Sequence, residues 1–126
     1  MRLFVIASLL LFVSCYSVER NCATFKKGTF EFETVVGTEI LKTKFIRNDM
    51  LEVDYFKGTI DTSSIRWIND CEYIVRNIAP KNKAEEKAIH IKILSTQNNS
   101  YTFEYSIVGE TKKQVGTAVK VSSTTF

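Results

Sequence analysis

The residues of this chain best equipped for chemistry are three cysteines, a single histidine and a spread of carboxylates. Catalysis needs such groups to converge. His90 stands between Ile89 and Ile91 in an alternating apolar run, which directs its ring to the solvent side of a strand. The carboxylates form pairs two residues apart, Glu31 with Glu33 and Glu52 with Asp54, on faces that read as solvated charge ladders opposite lysines. An acid/base dyad needs burial to drive two carboxyl pKa values apart, so these pairs are expected to be structural. No Gly-x-Ser-x-Gly, His-Glu-x-x-His or glycine-rich phosphate loop occurs, and the five glycines are scattered at turns. The chain therefore reads as a protein without catalytic residues or cofactors. Its thiols have two other uses, a disulfide or a metal site. For Cys22 and Cys71 the disulfide is the stronger reading, because neither a histidine nor a third cysteine lies at ligand spacing.

The N-terminus gives the thiols a context. Arg2 precedes the apolar run 3–13, which is shorter than the roughly 20 residues of a membrane-spanning helix and suits the core of an export signal. Ser14 then stands directly before Cys15. This arrangement resembles a bacterial lipobox, in which the signal is cut before the cysteine and the thiol is acylated. Phe12 takes the place of the leucine usual three positions before that cysteine. With Cys15 acylated, Cys22 and Cys71 remain as an even pair in an oxidising compartment. A bridge between them closes a loop of about 50 residues, worth about 4 kcal/mol in the chain-entropy description. The expected organisation is a signal (1–14), a lipidated tether (15–27), one β domain (28–121) and a frayed end (122–126). The expected location is the cell envelope, anchored to a membrane, with the outer membrane the leading choice. Seventeen basic residues face fourteen acidic ones, with both signs interleaved. Lys81, Lys83 and Lys87 are interrupted by Glu85 and Glu86, so no nucleic-acid footprint forms.

Period-two alternation dominates from Gly28 onward. A two-residue type II′ turn at Gly37-Thr38 pairs Val36 with Glu39. That register sets Glu33 against Lys42, Glu31 against Lys44, Phe30 against Phe45 and Phe32 against Thr43: one face charged, the other largely aromatic. A three-residue loop at Asn48-Asp49-Met50 then pairs Phe45 with Val53 and Thr43 with Tyr55, leaving Lys44 beside Asp54 on the solvent side. Further turns are expected at Lys57-Gly58, Asn69-Asp70, 96–100 and Gly109-Glu110. Pro80 opens a stretch of helix formers through Lys87, read as one or two helical turns. Pairing Ile93 with Phe103 sets Lys92 against Glu104. The sum is an all-β, antiparallel up-and-down meander of about eight strands with one short helix, either closed as a lipocalin-like barrel or curled as a half-barrel.

Nine rings share the apolar side of this sheet: Phe30, Phe32, Phe45, Tyr55, Trp67, Tyr73, Tyr101, Phe103 and Tyr105. An eight-stranded barrel either fills its interior with such side chains or holds one small ligand, whose orientation tyrosine hydroxyls can set. Both readings stand at this point.

Three segments carry a wider likeness: Asn21-Cys22, Lys27-Gly28-Thr29-Phe30, and above all Ile65-Arg66-Trp67-Ile68-Asn69-Asp70-Cys71-Glu72-Tyr73. Over nearly its whole length the chain resembles a family of short secreted lipoproteins of the Bacteroidota. The shared pattern is a cysteine near the mature start, a Gly-Thr-Phe strand and a Trp-x-x-(Asp)-Cys-x-Tyr segment. Members often carry the label "DNA topoisomerase IV". Topoisomerase activity does not fit 126 residues with no nucleotide site and an export signal. The family has no established activity, so the likeness transfers no catalytic residue. It implies an anchor on Cys15, a Cys22–Cys71 bridge and a lipocalin-like β domain. The expected function is a non-enzymatic envelope lipoprotein that binds a small apolar ligand or a protein partner, or else a structural component of an envelope assembly.

Overall fold

The computed structural model describes residues 18–126; the expected signal (1–14) and Cys15 lie outside the described residues. Eight antiparallel strands follow one another in chain order: β1 (Gly28–Val36), β2 (Glu39–Arg47), β3 (Leu51–Phe56), β4 (Thr59–Asn69), β5 (Glu72–Asn77), β6 (Ile89–Gln97), β7 (Ser100–Ile107) and β8 (Gln114–Ser122). β8 returns to pair with β1, so the sheet closes into a lipocalin-like barrel. Closure removes the strand edges that a half-barrel would leave open to pairing with other chains.

The β1–β2 hairpin has the register that its charges and rings dictate. Val36 is opposite Glu39, Glu33 opposite Lys42, Glu31 opposite Lys44 and Phe30 opposite Phe45. Gly37 takes a φ of +64°, the left-handed value that the first central turn position requires. Lys92 likewise meets Glu104, and Ile93 meets Phe103. The turn at Asp70-Cys71 joins β4 to β5 with Trp67 opposite Tyr73 and Ile65 opposite Val75, which puts those four side chains on the barrel interior.

The β2–β3 register differs from the expected one by a single residue. Phe45 pairs with Asp54, Arg47 with Glu52, and Lys44 with Tyr55. The loop is longer by one position because the Asn48 side chain organises it: its Oδ1 accepts from the N–H groups of Met50 and Leu51. A one-residue slip turns a whole strand over. Glu52, Asp54 and Phe56 therefore face inward, and Tyr55 faces out.

Three further expectations are corrected. No helix forms after Pro80. Instead Lys81 N–H donates to Glu85 Oε2 and Glu85 N–H to Asn82 Oδ1. Side chains have captured the donors that a helix would use, and a stretch this short gains too little from propagation to compete. The segment read as a tether is instead folded onto the barrel from Glu19 onward. Thr96 N–H donates to Glu19 O, Asn21 N–H to Thr96 Oγ1, and the Arg20 guanidinium to Ile93 O. A 3₁₀ turn, Cys22–Phe25, plugs this end with Phe25 buried inside, and the Cys22–Cys71 disulfide ties the plug to the β4–β5 turn. At the other terminus β8 runs to Ser122, and Thr29 Oγ1 donates to Thr124 O, so the part of the expected frayed end up to Thr124 is held.

The barrel thus has two unlike ends. The plug, the β2–β3, β4–β5 and β6–β7 turns and the chain's last strand residues close one of them. The other is ringed by the remaining four connections and opens into a cavity.

Candidate functional site

Alternation along each strand decides what the barrel interior contains. β1 contributes Phe30 and Phe32, β2 Phe45 and Arg47, β3 Glu52, Asp54 and Phe56, β5 Tyr73, and β7 Tyr101, Phe103 and Tyr105. The plug seals the bottom with Phe25, whose ring centre is 5.2 Å from that of Tyr101.

Just above the plug lies a buried cation. Arg47 is 1% exposed, a position an arginine occupies only when its donors are paired. Its Nε and Nη2 each donate to Glu52 Oε1 at 3.1 Å. Nη1 donates to the carbonyl of Phe25 at 2.9 Å. Nη2 also reaches the hydroxyls of Tyr73 at 2.8 Å and Tyr101 at 3.0 Å. The guanidinium carbon lies 4.7 Å from the Tyr73 ring centre, 4.9 Å from Phe30 and 5.3 Å from Phe45, within the range of cation–π attraction. Burial pulls the Arg47 pKa down, but Tyr101, Tyr73 and Glu52 outweigh it and the net shift is upward. Burial also pushes the Tyr73 hydroxyl up. The floor is therefore a polar knot in an aromatic setting: it ties plug, β2, β3, β5 and β7 together.

Above this knot the interior is open. A cavity of about 390 Å³ runs from Arg47, Tyr73 and Tyr101 to Thr34, Leu41 and Phe56 at the rim. Its size falls within the range of small-molecule sites, and its walls have their character, mostly apolar with a few placed polar groups. The interior is neither a filled core nor a polar channel. A second recess of about 450 Å³ adjoins it beneath the 78–88 connection; the two share Glu52, Asp54, Ile89 and Ile91.

Asp54 is the group out of place. It stands on the cavity wall two residues from Glu52 and directly opposite Asp61 of β4, a like-charge pairing that antiparallel sheets avoid. Desolvation, then repulsion from Glu52, raises its pKa to about 8; Arg47 acts in the opposite sense, and Asp61 adds to the rise. Glu52 is held by two donors of Arg47, whereas Asp54 has no such partner and holds its proton to higher pH.

No protein family, curated protein or solved structure matches this chain. The site must be read from its own geometry.

Six of the nine rings singled out from the sequence line the cavity: Phe32, Phe45, Tyr73, Tyr101, Phe103 and Tyr105. Phe30 is wholly buried beneath it, stacked on Phe45 at 5.1 Å. Trp67 packs on Tyr73 at 4.5 Å with the Lys26 amine over its ring. Tyr55 is outside, and Phe56 holds the inward place expected for it. His90 faces outward, its Nε2 3.2 Å from Glu72 Oε2. Sequence reasoning missed Phe25, Arg47, Glu52 and Asp54. A signal existed for Arg47: it continues the inward parity of Phe45, and an acidic partner for it lay across the next turn. Among the described residues no group of three or more His, Cys, Asp or Glu is disposed to hold a metal ion, and the two thiols are consumed by their bond.

Proposed function

We propose that this chain is a non-enzymatic, lipid-anchored envelope protein whose barrel binds one small, largely apolar ligand. The observation that carries the reading is the aromatic-walled cavity of about 390 Å³ inside a closed barrel. A fold that needed only to be stable would fill that space, because unfilled volume costs stability. The export half of the reading draws support from the Cys22–Cys71 disulfide, a bond typical of oxidising compartments, and from the lipobox-like run before Cys15. An acyl anchor on Cys15 also suits the barrel's polarity. It stands four positions before Glu19, the first described residue bonded to the closed end, a reach of at most about 14 Å. The plugged end then sits at the membrane and the cavity mouth opens away from it.

The test is a titration with N-phenyl-1-naphthylamine, an uncharged dye that brightens in apolar surroundings. Saturable binding of one dye per chain is expected, abolished by Thr43→Trp or Leu41→Trp, which fill the cavity from β2. Absence of saturable binding, or binding unaffected by either filled variant, refutes the reading.

A partner-docking role, in an envelope assembly, is the second reading. Val35 and Ile40 face each other across β1 and β2 on the outer wall beside the mouth, 69% and 65% exposed, with Ile60 nearby on β4 at 62%. Crosslinking from this rim in intact cells recovers a defined envelope protein if that reading is right, and only random neighbours if it is not.

A further inference from the structure

The cavity's charge pattern says more than its size. Most of its wall is ring and aliphatic surface, and the charged groups that reach it are Arg47, Glu52 and Asp54. Arg47 is not free to receive an anionic ligand. Each of its three guanidinium nitrogens already donates, to Glu52, the Phe25 carbonyl or the two tyrosine hydroxyls, and the side chain is almost wholly buried. Glu52 cancels its charge at 3.1 Å. What remains on the wall is Asp54, and behind it Asp61, its direct cross-strand neighbour, in the adjoining recess. Neither makes a salt bridge with any described residue: the cation bordering that recess, Lys87, is engaged by Glu110 at 3.5 Å. An entering carboxylate or phosphate finds no free cation on this wall, and once Asp54 ionises, above about pH 8, it meets negative charge in a space where repulsion is poorly screened.

A cation meets the reverse. The rings of Phe32, Phe45, Phe103 and Tyr105 line the space, a ring's face being its negative side, and the same interior already holds one guanidinium among aromatic rings lower down. Aromatic walls with one carboxylate are the means by which proteins hold ammonium groups. The carboxylates do not form a metal site, as noted above, so the complementary guest is organic.

We infer that the cavity takes a ligand whose apolar body carries a positively charged amine or quaternary ammonium group, with Asp54 as its counter-charge and the surrounding rings as its walls. This deepens the preceding reading and rests on it. The elevated Asp54 pKa fits a carboxyl that lacks its cation: free protein holds the proton, and the bound cation displaces it. Groups facing Asp54 are Glu52 on its own strand, Arg47 on β2, Asp61 on β4, and Tyr73, Tyr101 and Tyr105 across the interior, with Glu85 and Lys87 of the 78–88 connection across the recess. Arg47 and Tyr73, with raised pKa values, keep their protons over the range in which Asp54 titrates.

The experiment compares three ligands with one tail, octyltrimethylammonium, octanoate and octanol, by calorimetry or dye displacement from pH 6 to 9 on the oxidised chain. The ammonium compound is expected to bind best, at least tenfold tighter than octanoate at pH 8.5. Its affinity should weaken by about tenfold per pH unit on going down from pH 8, while Asp54 must give up a proton to bind it. Octanol affinity should not follow that slope. Asp54→Asn should erase both the preference for ammonium and the slope while leaving octanol binding in place. Octanoate binding as tightly as the ammonium compound, or an Asp54→Asn protein that keeps the preference, overturns this inference but spares the cavity reading when octanol binds. If none of the three binds, both fall.

Discussion

Replacing Asp54 by asparagine should make this protein more stable at neutral pH, the opposite of the usual result for an interior polar residue. The argument runs through proton linkage. In the unfolded chain an aspartate has a pKa of about 3.9; in the barrel, burial and the nearby Glu52 raise Asp54 to about 8. Below pH 4 both states hold the proton and stability is at its full value. Between pH 4 and pH 8 only the folded state holds it, so the unfolded state gains and stability falls by about 1.4 kcal/mol per pH unit. Above pH 8 both states are ionised and the loss stops growing. At pH 7 the accumulated loss has a ceiling of about 4 kcal/mol by this linkage, lowered by whatever water reaches the half-buried side chain. Asparagine has a similar shape and no such loss. Urea unfolding of both proteins at pH 5, 7 and 9, disulfide intact, is the assay. The stability gap in favour of Asp54→Asn should widen from pH 5 to pH 8 and then level off. Parallel pH profiles, or a variant weaker than the parent at pH 7, would show that Asp54 does not carry a displaced proton and refute the reasoning.

Other perturbations test the floor and the walls. Arg47→Ala leaves Glu52 buried without its cation and should cost about 3–5 kcal/mol in urea unfolding; pairing Arg47→Met with Glu52→Gln should recover most of that loss. Reducing the Cys22–Cys71 bond frees a loop with a sequence separation of 49. The unfolding midpoint should fall by the equivalent of about 4 kcal/mol, and Phe25 should become accessible as the plug loosens, read by hydrogen exchange over residues 19–26. A methyl group at position 116 would lie 2.6 Å from Phe32 Cε2 and 3.0 Å from Phe103 Cζ. Gly116→Ala should therefore drive those rings into the cavity, costing about 1–3 kcal/mol and weakening dye binding more than thermal stability; unchanged dye affinity would count against the placement of those rings.

The parts of this fold legible in the sequence were those where two independent patterns agreed. In the β1–β2 hairpin, sign-matched charges on one face and rings on the other leave one register, and the same logic recovered Lys92 opposite Glu104. Where a single pattern carried the argument it failed. For β2–β3, keeping one apolar face through Val53 and Tyr55 selected a loop one residue too short, whereas the actual register turns Glu52 and Asp54 to that face. The actual register follows from Asn48 capturing two backbone donors, a detail of loop geometry that periodicity does not reveal. That slip hid the site, since Glu52 and Asp54 face inward only in the true register. Phe25 was lost for another reason: it falls in the segment 15–27, read as a tether, and a plug held by a long-range disulfide needs no periodicity. The stretch after Pro80 shows the reverse error, in which good helix formers were too few to outcompete Asn82 and Glu85 for the backbone donors.

The claim on which the rest depends is that the barrel's interior carries a guest. Native mass spectrometry of the chain, extracted by mild detergent from the cells that make it, reads this in one spectrum. The account predicts a polypeptide starting at Cys15, heavier by its acyl groups, plus one small molecule that departs at raised collision energy and is missing from Thr43→Trp. A processed chain of the same mass with and without collisional activation, identical for parent and filled variant, would contradict it.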